Sequence, residues 1–597
     1  MPIFGNKKEK DVIASMFLTA AIVMIFTQMT GVVATIIDGI VTSRFLGSDQ
    51  YSAVALLGPL VNIVLLFASF VSIGGQIVCS NKVGTGERDE ANAVFTFSLL
   101  FGILVAAAFV IFSVISPGTL LQICGVSHKG RPELYEHMLD YLHGYTIGIP
   151  AVIMVQILSP FMVMDNGKQL VSLSATVLCL SDIAGDFINA LVIRGGVFGM
   201  GVATSIAMWL QLLVLLVHFV KKEGYFRLSL KSLKGTHIRD IGQNGLISFV
   251  KKLATILRDI LTNRINLVVA VSTAAVAAKG MQADLNMLMF CISIGIGRTL
   301  LTMSSMYYGA EDLDGLKRAY KYAMLLCIRL LAVVGVILFI AAPLVSRIYT
   351  SDPEVTALSV FSIRCMAISL VPDALNEAFQ DYLQGIQNRK LVNTMCFAER
   401  FFLPVATAWI MGMAFGSRGI MASMAVGKII LFLLAFVIVC VRCKGLPRRL
   451  EDIMFLPEGF GGKEEDNIYA HISTMEDVVR ESERAHDFCI AHGVDKRGAN
   501  MVALFVEEMG GNIIRHGRPR RGGSVCADYR ISANGGRIGI SLRDYCEEFD
   551  PMKFNEIHRE DNRMSNIGIR MVMSLAKDIR YINTFNSNCL FMYLGEV

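Results

Sequence analysis

Charge is what this chain has least of. Only 18% of its 597 residues are Asp, Glu, Lys or Arg, against 54% hydrophobic residues, which excludes a disordered chain, a collagen-like fibre and a soluble nucleic-acid-binding protein. No Walker A sequence occurs anywhere, so an ATP-driven pump of the P-loop type has no support. The 13 cysteines are odd in number and scattered, many of them in apolar stretches, which argues against a disulfide framework. One CxxC, Cys440 and Cys443, has no second ligand pair and reads as two reduced thiols at a membrane boundary rather than a metal site. Lys7, Lys8, Glu9 and Lys10 lead into an apolar run too long for a signal-peptide core and without a convincing cleavage signal, which is read as a retained first membrane helix.

What is present is a set of long charge-free runs: Val12 to Ile37, Tyr51 to Ser80, Ala91 to Val126, and Gly195 to Val220 with His218 inside it. Each exceeds the roughly 20 residues needed to cross hydrocarbon. Apolar character stops near Cys443, and Lys444, Pro447, Arg448, Arg449, Pro457 and Gly459 lead into an ordinary soluble composition. Residues 451–597 hold 18 Lys and Arg against 24 Asp and Glu, a net of −6, which leaves +11 for residues 1–450. Twelve spans are expected, beginning near residues 12, 51, 91, 138, 169, 197, 241, 276, 322, 355, 391 and 419. The loop with Lys221, Lys222, Arg227, Lys231, Lys234 and Arg239 is the most basic and so cytoplasmic. An even span count then puts both termini, and the C-terminal domain, in the cytoplasm beneath a bacterial-type inner membrane.

The two sets of six spans form a weak, colinear repeat. At an offset near 225, Gly84 falls on Gly309, Asp89 on Asp314 and Asp38 on Asn263. Six-plus-six repeats are typical of secondary transporters working by alternating access. The expected fold is therefore an all-α polytopic membrane domain of two six-helix lobes, 1–230 and 231–443, then a linker, 444–464, and an α+β domain, 465–597.

Ionisable side chains inside spans are costly and need a partner or a function. Asp38 ends a charge-free run; Asp182 and Asp186 are four apart and share a helix face; Thr204 lies early in the sixth span. Carboxylates with a hydroxyl suit a proton or a hard cation such as sodium. The plainer reading puts Asp38 and Asp182 at water-exposed helix ends. In the second half Asp373, Glu377 and Asp381 form an i, i+4, i+8 column expected to face an aqueous cavity. With Arg298 and Arg364 it suggests a partly basic cavity for an anionic or zwitterionic cargo; mutual neutralisation and snorkelling stand equally beside that reading.

In the soluble part, Ser473-Thr474-Met475-Glu476 reads as a capping box opening a helix to about His492, and a second helix runs from about Lys496 to Arg515. Val525, Ala527, Tyr529 and Ile531 alternate, Asn534-Gly535 turns the chain, and Ile538, Ile540 and Leu542 alternate back, which predicts a hairpin. A helix near 565–577 and strands near 579–585 and 589–594 complete an α+β layer. Glu508 and Asn512 fall on the inward face of the second helix beside Met501, Leu504 and Phe505, where a purely structural helix has no use for them.

Ile36-Ile37-Asp38-Gly39 with Arg44-Phe45-Leu46-Gly47, Gly84-Thr85-Gly86-Glu87, and Phe198-Gly199-Met200-Gly201-Val202-Ala203-Thr204 together resemble the multidrug and toxic compound extrusion (MATE) transporters over about residues 10–443. The resemblance implies an ion site at Asp38, Asp182, Asp186 and Thr204. Val506 to Gly517, with Glu508, Glu507 and Asn512, resembles the N-box of the GHKL ATPase and kinase superfamily, particularly the anti-sigma-factor serine kinases. That resemblance implies ATP and Mg2+ as cofactors, Glu508 as general base, Asn512 on magnesium and His516 at the nucleotide. It further implies Asp544 on the adenine amino group, and Asn566 and Gly568 in the glycine-rich box over the phosphates. Cys546 and Asn566 stand where the family normally has glycine. The sequence thus supports a proton- or sodium-coupled exporter of a small molecule linked to a cytoplasmic ATP-binding domain. Two rivals remain: a membrane-anchored serine kinase of the anti-sigma-factor type acting on an anti-anti-sigma-like or other protein partner, and a transporter whose C-terminal domain only docks.

Overall fold

The computed structural model describes residues 12–47, 50, 53–54, 56–124, 132–220, 224–269, 273–349, 352–462, 464–519, 525–534, 537–557, 570–573, 578–584 and 587–594. The apolar runs become helices: α1 (Val12–Val41), α2 (Gly58–Gly84), α3 (Arg88–Ile115), short α4 (Pro117–Ile123), α5 (Pro132–Thr146), α6 (Ile149–Met164), α7 (Lys168–Ile188) and α8 (Gly196–Val220). The second half follows with α9 (Gly235–Val269), α10 (Thr273–Gly309), α11 (Leu313–Tyr349), α12 (Pro353–Gly385), α13 (Arg389–Phe397) and α14 (Leu403–Arg442). Prolines open several of these helices, where a missing N–H costs nothing. Among the described residues nine helices are long and apolar enough to cross a membrane, and the α5–α6 pair, bent by 51°, makes ten. The continuous run from Arg389 to Arg442 is 54 residues long, well beyond one crossing, and it breaks at Gly416, whose φ of 59° and ψ of −140° are non-helical.

The repeat is visible in the backbone. The turn after α2 closes with Thr85 N–H donating to Asn81 O, Gly86 to Val83 O and Glu87 to Lys82 O. The turn after α10 repeats all three 225 residues later: Ala310 to Met306 O, Glu311 to Tyr308 O and Asp312 to Tyr307 O. Gly86 and Glu311, equivalent in the repeat, both adopt positive φ, 75° and 51°. The two helix ends also cross each other reciprocally. A methyl added to Gly84 would lie 2.0 Å from Met306 O, and one added to Gly309 2.4 Å from Asn81 O, so the two lobes meet backbone to backbone here.

After a linker with α15 (Leu450–Met454), the C-terminal domain forms a five-stranded sheet of order β1-β2-β3-β5-β4, all antiparallel. Its strands are β1 (Asn467–Ile472), β2 (Ala527–Asn534), β3 (Arg537–Asp544), β4 (Asp578–Thr584) and β5 (Ser587–Leu594). Helices α16 (Met475–Ala491), α17 (Lys496–Phe505) and α18 (Gly511–His516) cover one face, and short α19 (Pro551–Ile557) follows β3. Val502, Phe505, Ile531, Leu542 and Met592 centre the core between sheet and helices. The hairpin forms as the alternation predicts. The capping box is displaced by one residue: Thr474 is the N-cap, its hydroxyl accepting from Asp477 N–H while Asp477 accepts from Thr474 N–H. A helix starting one residue later selects the next hydroxyl and the carboxylate three beyond it. The helix expected near 565–577 lies largely outside the described residues.

The sheet's other face is covered too. Ile582, Cys589 and Phe591, on the side away from the helices, belong to the same hydrophobic core as the membrane helices. Residues 587–592 of β5 are therefore buried on both faces.

Candidate functional site

Glu508 sits where the helix widens. Between α17 and α18 the residues Val506–Gly510 make one π turn, a distortion often found at functional positions, and Glu508 and Asn512 leave it on one side of a cavity of about 480 Å3. Glu508, Asn512, His516 and Asp544, four of the residues expected from sequence, line this one cavity. Its apolar walls come from Met509, Ile513, Leu542, Phe549, Phe554 and Leu590, a slot suited to a flat heterocycle. Asn566 and Gly568 lie outside the described residues.

Asp544 ends β3 and is 7% exposed. Its Oδ1 accepts from Cys546 N–H and from Asn588 Nδ2, both at 2.8 Å. Asn588, on β5, also donates to the Glu547 carbonyl at 3.1 Å, so one amide fixes both the carboxylate and the loop that leaves it. Sequence reasoning did not single out Asn588, because its place directly across from Asp544 comes from the β3–β5 register. Cys546, standing where the family has glycine, is accommodated by a glycine elsewhere: a methyl on Gly517 would lie 2.8 Å from Cys546 Sγ. A carboxylate held at the wall of an apolar slot, with an amide and a second carboxylate one helical turn apart, fits a purine nucleotide with its magnesium.

In the first lobe, Asp38 accepts from Thr42 Oγ1 at 3.3 Å where α1 passes into a π turn over Thr42–Leu46. Asp182 and Asp186 on α7 are buried at 5% and 0% exposure. Asp182 Oδ1 and both oxygens of Asp186 are buried without a hydrogen-bond partner, and Thr204 stands beside Asp182. Asp38, Asp182, Asp186 and the buried Tyr141 lie within electrostatic reach of one another. Asp38, Asp182 and Asp186 thus share the interior of this lobe within electrostatic reach, without forming a three-ligand metal group. A buried carboxylate without donors calls for a proton or a cation.

In the second lobe the Asp373, Glu377, Asp381 column is buried and paired rather than open. Lys428 meets Asp373 at 2.7 Å, Lys251 meets Glu377 at 2.6 Å and Asp381 at 3.4 Å, and Arg400 also meets Glu377. Arg298 stands within electrostatic reach of Glu377 and Asp381. Arg364 is apart from this group, exposed on α12 with its guanidinium 5.1 Å over the Phe339 ring. The column's charges neutralise one another, as one of the two sequence readings had it. Among the described residues no group of three or more His, Cys, Asp or Glu side chains could hold a metal ion.

Residues 24–185 and 255–410 match the MatE family profile. The chain belongs to the MatE family. Residues 473–594 match the histidine kinase-like ATPase domain, so this MatE protein is a multi-pass membrane transporter fused to such a domain. The multidrug export protein MepA of Staphylococcus saprophyticus is 22% identical over 422 residues, 69% of this chain and 91% of that protein. The probable multidrug resistance protein NorM of Photorhabdus laumondii is 22% identical, covering 53% of this chain and 73% of its own. A crystal structure of MATE in the straight conformation has a TM-score of 0.67 at 19% identity, over 73% of this chain and 99% of that one. A MOP superfamily transporter from Pyrococcus furiosus, whose title speaks of a binding pocket of reverse polarity, has a TM-score of 0.66 at 18% identity, over 74% of this chain and 99% of its own.

Proposed function

We propose that this MatE protein is an antiporter that exports a small molecule by alternating access in exchange for entering protons or sodium ions, and that its C-terminal domain is a cytoplasmic nucleotide-binding regulator. The observation that carries ion coupling is the partnerless burial of both Asp186 oxygens beside Asp182 and Asp38. In this reading the three carboxylates, with Thr204, take up the ion from one side and give it up when the lobes rock. Each charge entering is worth about 2.3 kcal/mol per 100 mV. A twelve-crossing topology is supported by the nine apolar helices and the bent α5–α6 pair found among the described residues, to which the charged α9 and a second pass of the long final run across Gly416 would add the remaining two. Lobes at 1–230 and 231–443, a linker at 444–464 and a regulator at 465–597 follow. The paired column with Arg298 would line the cargo path, where its acids and bases favour a zwitterionic cargo.

At the C-terminal site Asp544 would take the adenine amino group, Asn512 the magnesium, and His516 would stand near the phosphates with Asn566 and Gly568. Bound ATP would supply a transferable phosphoryl group. Glu508, in the same cavity as Asn512, favours a second reading in which it takes the proton of a serine hydroxyl on a protein partner and the membrane half senses rather than transports. Gradient-driven flux in proteoliposomes decides between them. Flux driven by an imposed pH or sodium gradient, lost in Asp38→Asn and Asp186→Asn, is expected. Flux indifferent to both substitutions would overturn ion coupling, and phosphotransfer dependent on Glu508 without any flux would establish the sensor kinase instead.

A further inference from the structure

The face of the C-terminal sheet opposite its helices reaches both lobes at once, and it does so at equivalent points. Arg580 on β4 donates to the Thr85 carbonyl at 2.8 Å. Arg530 on β2 donates to the Ala310 carbonyl at 3.0 Å and the Glu311 carbonyl at 2.7 Å. Thr85 and Ala310 are the same position of the repeat, in the two turns whose hydrogen bonds match at an offset of 225. One sheet therefore spans the junction where Gly84 and Gly309 press the lobes together.

The two attachments are unequal. On the second lobe the domain is mounted firmly: Arg543 pairs with Asp312 at 3.5 Å, Phe460 of the linker stacks on Tyr308 with ring centres 5.0 Å apart, and Tyr382 donates to the Met454 carbonyl at 2.9 Å. On the first lobe the polar hold comes from β4, through Arg580 and through Asn583, which hydrogen-bonds Asn166 in the turn after α6. That strand is the edge of the sheet, and its Tyr581 lines the nucleotide cavity.

We propose that β4 is a latch: the C-terminal domain rides on the second lobe and, through Arg580 and Asn583, holds the first lobe against it, so that the bundle opens on this face only when β4 lets go. The proposal rests on the alternating-access reading and gives it a point of regulation. Hydrogen exchange by mass spectrometry on the full chain in detergent tests it. Arg580→Ala should speed exchange by at least about ten-fold, as loss of charged hydrogen bonds to carbonyls predicts. The faster exchange should appear in residues 76–86 and also in residues 302–311, which Arg580 does not touch, while residues 496–516 stay protected. Arg580→Lys should restore part of the protection. Faster exchange confined to residues 84–87 would overturn the latch. Should Arg580→Ala unfold the C-terminal domain, Gly86→Ala provides the same test from the membrane side, because its methyl would lie 2.9 Å from Arg580 Cδ; exchange unchanged at residues 302–311 in that variant would again overturn it. Failure of the transport reading would appear separately, as gradient-driven flux indifferent to Asp38.

Discussion

At the scale of single residues, the proposed nucleotide cavity depends on how Asp544 is held. Asp544→Asn keeps the shape but replaces an acceptor with a donor at one oxygen, and nucleotide affinity should fall by roughly 10- to 100-fold, the worth of one charged hydrogen bond. Titration calorimetry of the full chain with magnesium and a non-hydrolysable ATP analogue measures it. Asn588→Leu removes the donor that fixes Asp544 and the Glu547 carbonyl at the cavity wall, and should weaken binding by about ten-fold. Glu508 and Asn512 stood out because a shared helix face placed them inward, whereas His516 and Asp544 came from the resemblance alone; all four line one cavity. Asn588 did not stand out, since its role arises from strand pairing between segments far apart in sequence. The place of Cys546, where the resemblance expects glycine, was unreadable for the same reason: the space it needs is left by Gly517 on another element.

At the scale of elements, four π turns occur among the described residues, and each adjoins an ionisable side chain of interest. They follow Asp38 and Asp186, carry Glu399 and Arg400, and carry Glu508. None was readable from hydrophobic period, since a single wide turn spans too few residues to show a period of its own. Strand β1 also escaped notice, and it brings His471 opposite Asp528 of β2 with 2.7 Å between Nδ1 and Oδ1. Hydrogen bonding to Asp528, and then to Cys526, raises the imidazole pKa from 6.5 to about 10. The raised value means the pair's contribution to stability is complete below the unfolded value of 6.5 and is lost as pH climbs through about 10. The difference in thermal midpoint between wild type and His471→Gln should accordingly be largest near pH 6 and vanish by about pH 10.5. A core truncation behaves differently: Phe505→Ala, fully buried beside the π turn, should cost about 3–5 kcal/mol at any pH, measured as the loss of far-ultraviolet ellipticity on denaturation.

At the scale of the whole molecule, the membrane part and the separate C-terminal domain were legible because long apolar runs and a composition shift need no tertiary information, although among the described residues nine helices, or ten with the bent pair, are long and apolar enough to cross where twelve were expected. The union of the two was not. Yet β5 carried a trace of it: Cys589-Leu590-Phe591-Met592 is a continuous apolar run, the mark of a strand buried on both sides, where a two-layer domain would alternate. A fragment of residues 465–597 should expose Ile582 and Phe591 and self-associate. Size-exclusion chromatography should return it to a monomer on Ile582→Thr with Phe591→Thr. The grips of Arg580 and Arg530 both end on main-chain carbonyls, and every residue type presents the same carbonyl. The side chains of Thr85 and Ala310 are thus free to drift over generations while these two grips persist, provided the left-handed step at Gly86 and Glu311 survives. Covariation between the halves would be silent at the very place where they meet.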